Sequence, residues 1–360
     1  MAVKMNGLSL ELLSHPGETL NEVLESNNMS QKELAARIGI STKHINQIIS
    51  GQVKISPETA FKLEKVFSLS AGFWNRLQAK YDQEKMEILE KETVSDEEKQ
   101  LIKNSLYKQL VKFNYLEKES DSIKRVIQLR GFYGVANLFN VPKAINANAL
   151  FRKSRAIQTD DYALAAWMKI CEIETEGIEV SGQLDSKLIK NNLSKIKSLN
   201  QNSDPNVIVD SLQRIFAECG VAFSVVKNIS GAPVQGFIKR INNKVRLCMT
   251  LRNKYSDIFW FTLFHEIGHL LDCKNEFFVD FRKTDDEAEE YADSFATEEL
   301  LAKNDYEIFV RRKDFSKAEI KRYAWEKGIL PGILVGRLQH DGHLPNSHCN
   351  DLRTQYVWAD

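Results

Sequence analysis

The sequence lacks an excess of either charge: 49 lysine and arginine residues stand against 49 aspartate and glutamate residues, so the formal net charge is zero. This balance excludes a strongly basic overall surface, and any contact with nucleic acid must therefore be local. The chain also contains only five cysteines, and none of them forms a Cys-x-x-Cys pair. A scattered, odd-numbered set of cysteines argues against a disulfide framework. It predicts that the protein resides in the reducing cytoplasm.

A long hydrophobic run and a signal peptide are also missing. The most apolar stretch, residues 258–271, is shorter than a bilayer span and includes two histidines and a glutamate. Residues 1–13 contain neither a long apolar run nor a small-residue cleavage site. We therefore expect a soluble cytoplasmic protein with no membrane partner. The length of 360 residues predicts two or three domains.

One short segment, His265-Glu266-Ile267-Gly268-His269, carries the strongest chemical signal. Histidines four residues apart lie on the same face of a helix, one turn apart, so both rings can reach one metal ion. Glu266 is placed to take a proton from a water molecule at the open side of that metal. The H-E-x-x-H arrangement is typical of zinc hydrolases. The segment therefore predicts metal-assisted hydrolysis of a peptide bond.

A third metal ligand is available in the acidic segment 285–296, which is predicted to form a second helix with a stripe of small apolar residues. Glu289 on that helix would complete a His-His-Glu site and leave the fourth position for water. Asp293 is placed one turn later to accept a hydrogen bond from the back of a ligand histidine. Cys273 is an alternative ligand, although Glu289 fits better.

The pattern His265-Glu266-x-x-His269, followed by Glu289-x-x-Ala292-Asp293-x-Phe295-Ala296, resembles the ImmA/IrrE family of metallopeptidases. Members of that family are similar to thermolysin-like gluzincins reduced to a minimal core. The resemblance covers about residues 200–310. It implies that two histidines and the downstream glutamate bind Zn²⁺ and that Glu266 is the general base. It also implies a narrow substrate, namely a regulatory protein such as a repressor, whose cleavage relieves control of transcription.

The first part of the chain, residues 10–85, predicts a bundle of short helices. The first of these begins near Pro16 and the last ends near Glu84. Glu33 and the serine three residues before it form a capping box, and Gly39 ends that helix. Four serines stand where helices should begin: Ser30, Ser41, Ser56 and Ser70. Two such helices joined by a glycine-containing turn predict a helix-turn-helix.

The pattern Gln31-x-x-Leu34-Ala35-x-x-Ile38-Gly39-Ile40-Ser41 resembles the Cro/repressor type of helix-turn-helix. The wider run, which includes His15-Pro16-Gly17-Glu18 and Phe73-Trp74, is similar to HigA-type antitoxins, which repress their own operons. In such motifs the third helix enters the major groove of double-stranded DNA, and a dimer reads the operator. The candidate contacts to bases and phosphates are Gln31, Ser41, Thr42, Lys43, Asn46 and Gln47.

The remaining segments carry weaker signals. Residues 86–200 predict a helical connector or dimerisation region, and residues 311–360 predict a C-terminal helical extension of the 201–310 core. A strand at 221–226 and a hairpin with a turn at 242–243 should precede the metal-binding helix. The basic run at 151–154 is interpreted as a solvated face, with DNA contact as the alternative. Candidate stabilisers of an oxyanion are Tyr291, His340 and His343.

The sequence thus predicts an α+β protein: an all-α helix-turn-helix bundle, a helical connector, and a minimal zincin that combines a small sheet with active-site helices. The expected function is a DNA-binding transcription regulator with a zinc-dependent endopeptidase domain. The main alternative is an antitoxin-like autorepressor whose zincin domain only binds a toxin partner or senses metal. A second alternative is a peptidase whose N-terminal bundle docks protein instead of DNA.

Overall fold

The computed structural model describes residues 10–148, 160–241, 244–272, 277–279 and 286–358. Its strands are β1 (Val221–Val226), β2 (Gly236–Ile241), β3 (Lys244–Thr250) and β4 (Phe277–Val279). Its α-helices, in chain order, are α1 (Pro16–Ser26), α2 (Gln31–Ile38), α3 (Thr42–Ile49), α4 (Pro57–Val66), α5 (Ala71–Glu92), α6 (Asp96–Leu101), α7 (Asn104–Lys112), α8 (Ser122–Tyr133), α9 (Val141–Asn148), α10 (Asp161–Glu176), α11 (Ser186–Ser198), α12 (Pro205–Glu218), α13 (Ser256–Asp272), α14 (Asp286–Leu300), α15 (Lys303–Arg311), α16 (Lys317–Glu326) and α17 (Pro331–His340).

The chain divides into two compact units. The N-terminal unit comprises the described residues up to Gln100 together with Glu119–Ile127. The C-terminal unit comprises Leu101–Lys118 and the described residues from Gln128 onward. Among the described helices, none is both long and apolar enough to cross a membrane.

Local capping defines the helices of the N-terminal unit. The hydroxyl of Ser30 accepts a hydrogen bond from the backbone N–H of Glu33, which confirms the predicted start of α2. Gly39 ends α2 in the left-handed conformation, with φ of 68°, which glycine adopts without steric cost. The predicted end of the fifth helix near Glu84 is wrong, because α5 continues to Glu92. No glycine or proline occurs between these two positions to stop it.

A close helix contact organises the core of this unit. Gly17 of α1 lies against the backbone of α3, so that a Cβ atom there would lie 2.0 Å from the carbonyl oxygen of Ile48. Helices α1, α2, α3 and α4 pack around a fully apolar core that includes Leu20, Leu34, Ile45, Leu63 and Trp74. The exposed surface of α3 is therefore held on a rigid support.

The C-terminal unit contains a small mixed sheet with the strand order β1-β3-β2-β4 in the described residues. β1 and β3 are parallel, whereas β2 pairs with both β3 and β4 in antiparallel fashion. The predicted strand at 221–226 and the 236–250 hairpin are therefore present. The predicted turn at 242–243 lies outside the described residues.

Helices cover both faces of this sheet. Alternate residues of β3, such as Leu247 and Met249, join one large core with α11 to α17. On the opposite face the thiol of Cys248 contacts the carbonyl oxygen of Cys171 on α10. The predicted connector, residues 86–200, is thus divided: its α10 and α11 pack within the C-terminal unit, because α10 is buried along most of its length.

The C-terminal segment, which was expected to be an extension, is bound to the start of α13. The carboxylate of Asp257 receives two hydrogen bonds from the Arg353 guanidinium, at 3.1 and 2.7 Å. The hydroxyl of Tyr356 accepts a hydrogen bond from the indole N–H of Trp260 at 3.0 Å. Residues 311–358 are therefore integral to the core that holds α13, the helix with the two histidines.

Candidate functional site

Helices α13 and α14 bring three potential metal donors together. His265 and His269 lie one turn apart on α13, and their Nε2 atoms are 3.0 Å from each other. Glu289 on α14 places its two carboxylate oxygens 3.5 Å from the Nε2 atoms of His265 and His269. Within the described residues, these three side chains form the one group of His, Cys, Asp and Glu with mutual distances suited to a metal ion.

Small residues allow the two helices to approach closely. A Cβ atom on Gly268 of α13 would lie 3.0 Å from the Cα atom of Ala292 on α14. Ala288, Ala292 and Ala296 are all buried along the same side of α14. The helices therefore meet nearly backbone to backbone, and Glu289 can reach the two histidines from the neighbouring helix.

The donor geometry suits a tetrahedral ion. Zinc bonds to imidazole nitrogen and carboxylate oxygen at about 2.0–2.1 Å, so the edges of its coordination tetrahedron measure about 3.3 Å. The two Nε2 atoms are 3.0 Å apart, and each lies 3.5 Å from a different oxygen of Glu289, so these individual separations are close to that value. Three protein donors of this kind leave a fourth position for a reactant, as in catalytic zinc sites.

The protonation states also suit metal binding, which needs neutral imidazoles and an ionised carboxylate. Burial, together with the nearby charge of His265, lowers the pKa of His269 to about 4. Burial opposes ionisation of Glu289, but the hydrogen bond from His265 and the charges of both histidines outweigh it and lower the pKa of Glu289. At neutral pH His269 is therefore neutral and Glu289 is ionised.

Asp293 lies behind the first histidine. Its Oδ1 atom is 2.8 Å from Nδ1 of His265, while its side chain remains 61% exposed. A hydrogen bond donated by Nδ1–H to a carboxylate fixes the ring tautomer and leaves the Nε2 lone pair directed at the metal position. The structure thus places Asp293 where the spacing predicted it.

Glu266 faces a different neighbour. It is fully buried on α13, and its carboxylate lies against Gly236 at the start of β2. It is not among the three grouped donors. Its role as general base stays a prediction.

The three oxyanion candidates lie in different surroundings. Tyr291 follows Glu289 by two residues and so points from another face of α14, where its ring stacks on Phe295 and is 42% exposed. The side chain of His340 is 87% exposed, and its Nδ1 atom lies 3.0 Å from Oδ1 of Asp341. His343 is exposed and lies near the rings of Tyr306 and Phe315. Neither histidine of this set is grouped with the three candidate metal donors among the described residues. The alternative ligand Cys273 and the basic run at 151–154 lie outside the described residues.

Two contributors were missed by sequence reasoning. Gly236 contacts Glu266, and a glycine inside a strand is the usual signal of such close approach. Arg353 fixes the first turn of α13 through Asp257, and no local pattern links these two residues. Both act on the helix that carries the histidines.

The candidate DNA-binding residues surround the start of α3. The Ser41 hydroxyl accepts a hydrogen bond from the His44 backbone N–H at 3.1 Å, which caps the helix. The exposed side chains include Thr42, Lys43 and Asn46, whereas Gln31 and Gln47 are half-buried. Ile45 and Ile48 on the opposite side of α3 enter the core. The exposed face of α3 therefore consists of polar side chains at Thr42, Lys43 and Asn46.

Comparisons with known proteins identify the N-terminal part of the chain. The HTH_3 family, described as helix-turn-helix, matches residues 20–74. The chain is similar to Virulence-associated protein I of Dichelobacter nodosus, with 36% identity over 69 residues, which are 19% of this chain and 64% of that protein. The chain therefore spans slightly less than two thirds of the length of this relative.

Two further relatives give similar values. Virulence-associated protein A of Dichelobacter nodosus is 39% identical over 69 residues, 19% of this chain and 68% of its own length. The uncharacterized HTH-type transcriptional regulator YddM of Escherichia coli is 30% identical over 71 residues, 19% of this chain and 76% of its own length. A solved structure titled Pseudomonas aeruginosa antitoxin HigA with higBA promoter is 29% identical and covers 23% of this chain and 97% of that one, with a TM-score of 0.22.

Proposed function

Since the chain belongs to the HTH_3 helix-turn-helix family through residues 20–74, we propose that it is a DNA-binding transcription regulator whose C-terminal unit is a zinc-dependent peptidase. The first half of this proposal is supported by the family match and by the polar, exposed start of α3. The second half is carried by one observation: the Nε2 atoms of His265 and His269 lie 3.0 Å apart, and each lies 3.5 Å from a carboxylate oxygen of Glu289.

On DNA, α3 enters the major groove by its N-terminal end. Asn46 and Gln47 are the side chains that can pair with an adenine edge, and Lys43 can reach guanine or phosphate. Ser41 and Gln31 stand at helix starts, where backbone N–H groups favour phosphate. Because the chain has no net charge, affinity for one half-site is modest, and a dimer on a two-fold operator is needed.

In the C-terminal unit, His265, His269 and Glu289 would bind Zn²⁺. A zinc ion bound there would supply a Lewis acid that acidifies water and polarises a peptide carbonyl. Glu266 accepts the proton of the attacking water and returns it to the leaving amine. Asp293 keeps His265 in the required tautomer.

The substrate we propose is a protein that controls transcription, such as a repressor. A DNA-binding unit in the same chain would place the peptidase at the operator where such a protein is bound. This assignment of a substrate depends on the pairing of the two units and on the resemblance of the metal-binding motif to the ImmA/IrrE family.

The decisive experiment combines metal content with a base-deleted variant. Full-length protein should contain about one zinc per chain, and His269→Ala should contain none. Glu266→Gln should retain zinc and DNA binding but abolish regulated cleavage and derepression of a reporter in cells. If that variant regulates the reporter as the parent does, the C-terminal unit is a non-catalytic metal-binding or toxin-binding module.

DNA binding is tested separately by gel shift on the duplex that lies upstream of the gene. Asn46→Ala with Gln47→Ala should remove preference for that duplex over unrelated DNA. Lys43→Ala should weaken binding to all sequences and reduce the salt dependence by about one phosphate contact. Equal binding by all three proteins would favour a bundle that docks protein.

A further inference from the structure

The first residue of β2 lies directly against the side chain of Glu266. Gly236 pairs with Met249 of β3, so its backbone is fixed within the sheet. A Cβ atom built on Gly236 would lie 2.0 Å from Oε1, 2.6 Å from Cδ and 2.9 Å from Cγ of Glu266. No side chain larger than hydrogen fits between this strand and the carboxyl group as it stands.

The backbone conformation does not account for a glycine here. Gly236 is outside the set of described glycines with positive φ, which includes Gly39 and Gly220. Any residue could therefore adopt its φ in the strand. Glycine is needed for space instead, because the carboxylate of Glu266 occupies the position that a side chain on residue 236 would take.

A second contact fixes the same face of α13 to the same strand. The hydroxyl of Thr262 donates a hydrogen bond to Oε1 of Gln235 at 3.1 Å, one residue before β2. Thr262 and Glu266 are four residues apart and share one face of the helix. His265 and His269 occupy the neighbouring face, toward α14. This face of α13 therefore meets β2 and the residue before it through Glu266 and Thr262.

We propose that Gly236 is a positioning residue for Glu266. Because Gly236 has no side chain, the Glu266 carboxylate can lie directly against its Cα atom, and this contact sets the position of the carboxylate. The catalytic part of this inference rests on the proposed peptidase function. A methyl group at Gly236 would displace the carboxylate from the position where it takes and returns a proton.

The contact itself is tested by a double-mutant cycle in thermal stability, which needs no substrate. Gly236→Ala should lower the Tm by about 5 °C, because the added methyl overpacks the site. Glu266→Ala removes all three atoms that the new methyl would meet. In that background Gly236→Ala should change the Tm by less than about 1 °C. Equal shifts in both backgrounds would overturn the inference.

Gly177→Ala is the matched control. Gly177 ends α10 in the same unit, and a Cβ atom there meets nothing within 4 Å. It should leave both the Tm and cleavage unchanged. If Gly236→Ala fails to fold, recovery of a folded protein by the added Glu266→Ala change gives the same information as the cycle.

Measurements of zinc content and kinetics distinguish a displaced Glu266 carboxylate from disruption of the whole site. Gly236→Ala should keep one zinc per chain and an unchanged KM, while kcat falls about 100-fold, as expected for a displaced base. A parallel loss of zinc, or a rise in KM at constant kcat, would overturn the positioning role. A parent protein without peptidase activity would refute the proposed function alone, since the stability cycle is read independently.

Discussion

The Nδ1 atom of His265 lies 2.8 Å from Oδ1 of Asp293, and Asp293 stands one helical turn after Glu289 on α14. One helix therefore supplies both a candidate metal ligand and the carboxylate that orients another ligand on α13. This arrangement couples the position of α14 to the tautomer of His265, because both depend on the same contact between the helices.

We expect Asp293→Asn to weaken zinc affinity about 10- to 100-fold, since an amide cannot hold the imidazole as a carboxylate does. Competition with a coloured chelator measures the change. Glu290→Gln is the matched control, because Glu290 is an exposed neighbour on α14 outside the donor group. Equal zinc affinity in both variants would contradict the orienting role.

Removal of metal should destabilise the C-terminal unit. A ligand that binds the folded state at 100 times its Kd adds about 2.7 kcal/mol. For a unit of this size, that corresponds to a fall in Tm of about 5–10 °C when a chelator is added. His269→Ala should show the same Tm with and without chelator. A chelator effect that persists in this variant would show that the stabilising metal lies elsewhere.

The helix-turn-helix could be predicted from the sequence because its signals are local. The serine caps at Ser30 and Ser41 and the glycine at Gly39 lie within four residues of the helix ends that they define. The end of α5 could not be predicted, since residues 84–92 carry no stop signal.

The proximity of His265 and His269 was predictable for a similar reason, because residues four apart share one face of any α-helix. The position of Glu289 near the histidines depends on contact between α13 and α14. The small residues on α14 indicated that contact. Gly236 and Arg353 lie far from these motifs in the sequence. Their contacts with α13 arise from the tertiary fold, and no periodicity points to them.

The start of α3 provides a test that separates stability from DNA contact. Ser41→Ala should cost about 1 kcal/mol of stability, because the His44 N–H loses its capping acceptor. Ser41→Asp keeps an acceptor and should retain stability, but its negative charge should repel phosphate and weaken DNA binding. Urea unfolding and gel shifts measure the two effects. Unimpaired DNA binding by Ser41→Asp would place the DNA backbone away from this residue.

The ion pair between Asp257 and Arg353 links the start of α13, the helix with the two candidate histidine ligands, to a residue far away in the sequence. Both side chains are largely buried, at 7% and 14% exposure, and the guanidinium also covers the ring of Tyr255. Burial raises the pKa of Asp257 even though Arg353 acts in the opposite direction. Desolvation therefore costs more than the pair returns, which is common for buried ion pairs.

Loss of Arg353 should leave the Asp257 carboxylate buried without its countercharge. We expect Arg353→Met to cost about 3–5 kcal/mol at pH 8. A buried acid with a raised pKa is favourable to folding while protonated, and that benefit is lost as pH rises through the folded-state pKa. The deficit should therefore shrink toward pH 4. Lys317→Met, which breaks an exposed pair with Asp351, should have little effect at either pH. A deficit independent of pH would mean that Arg353 stabilises α13 by packing on Tyr255 and not through its charge.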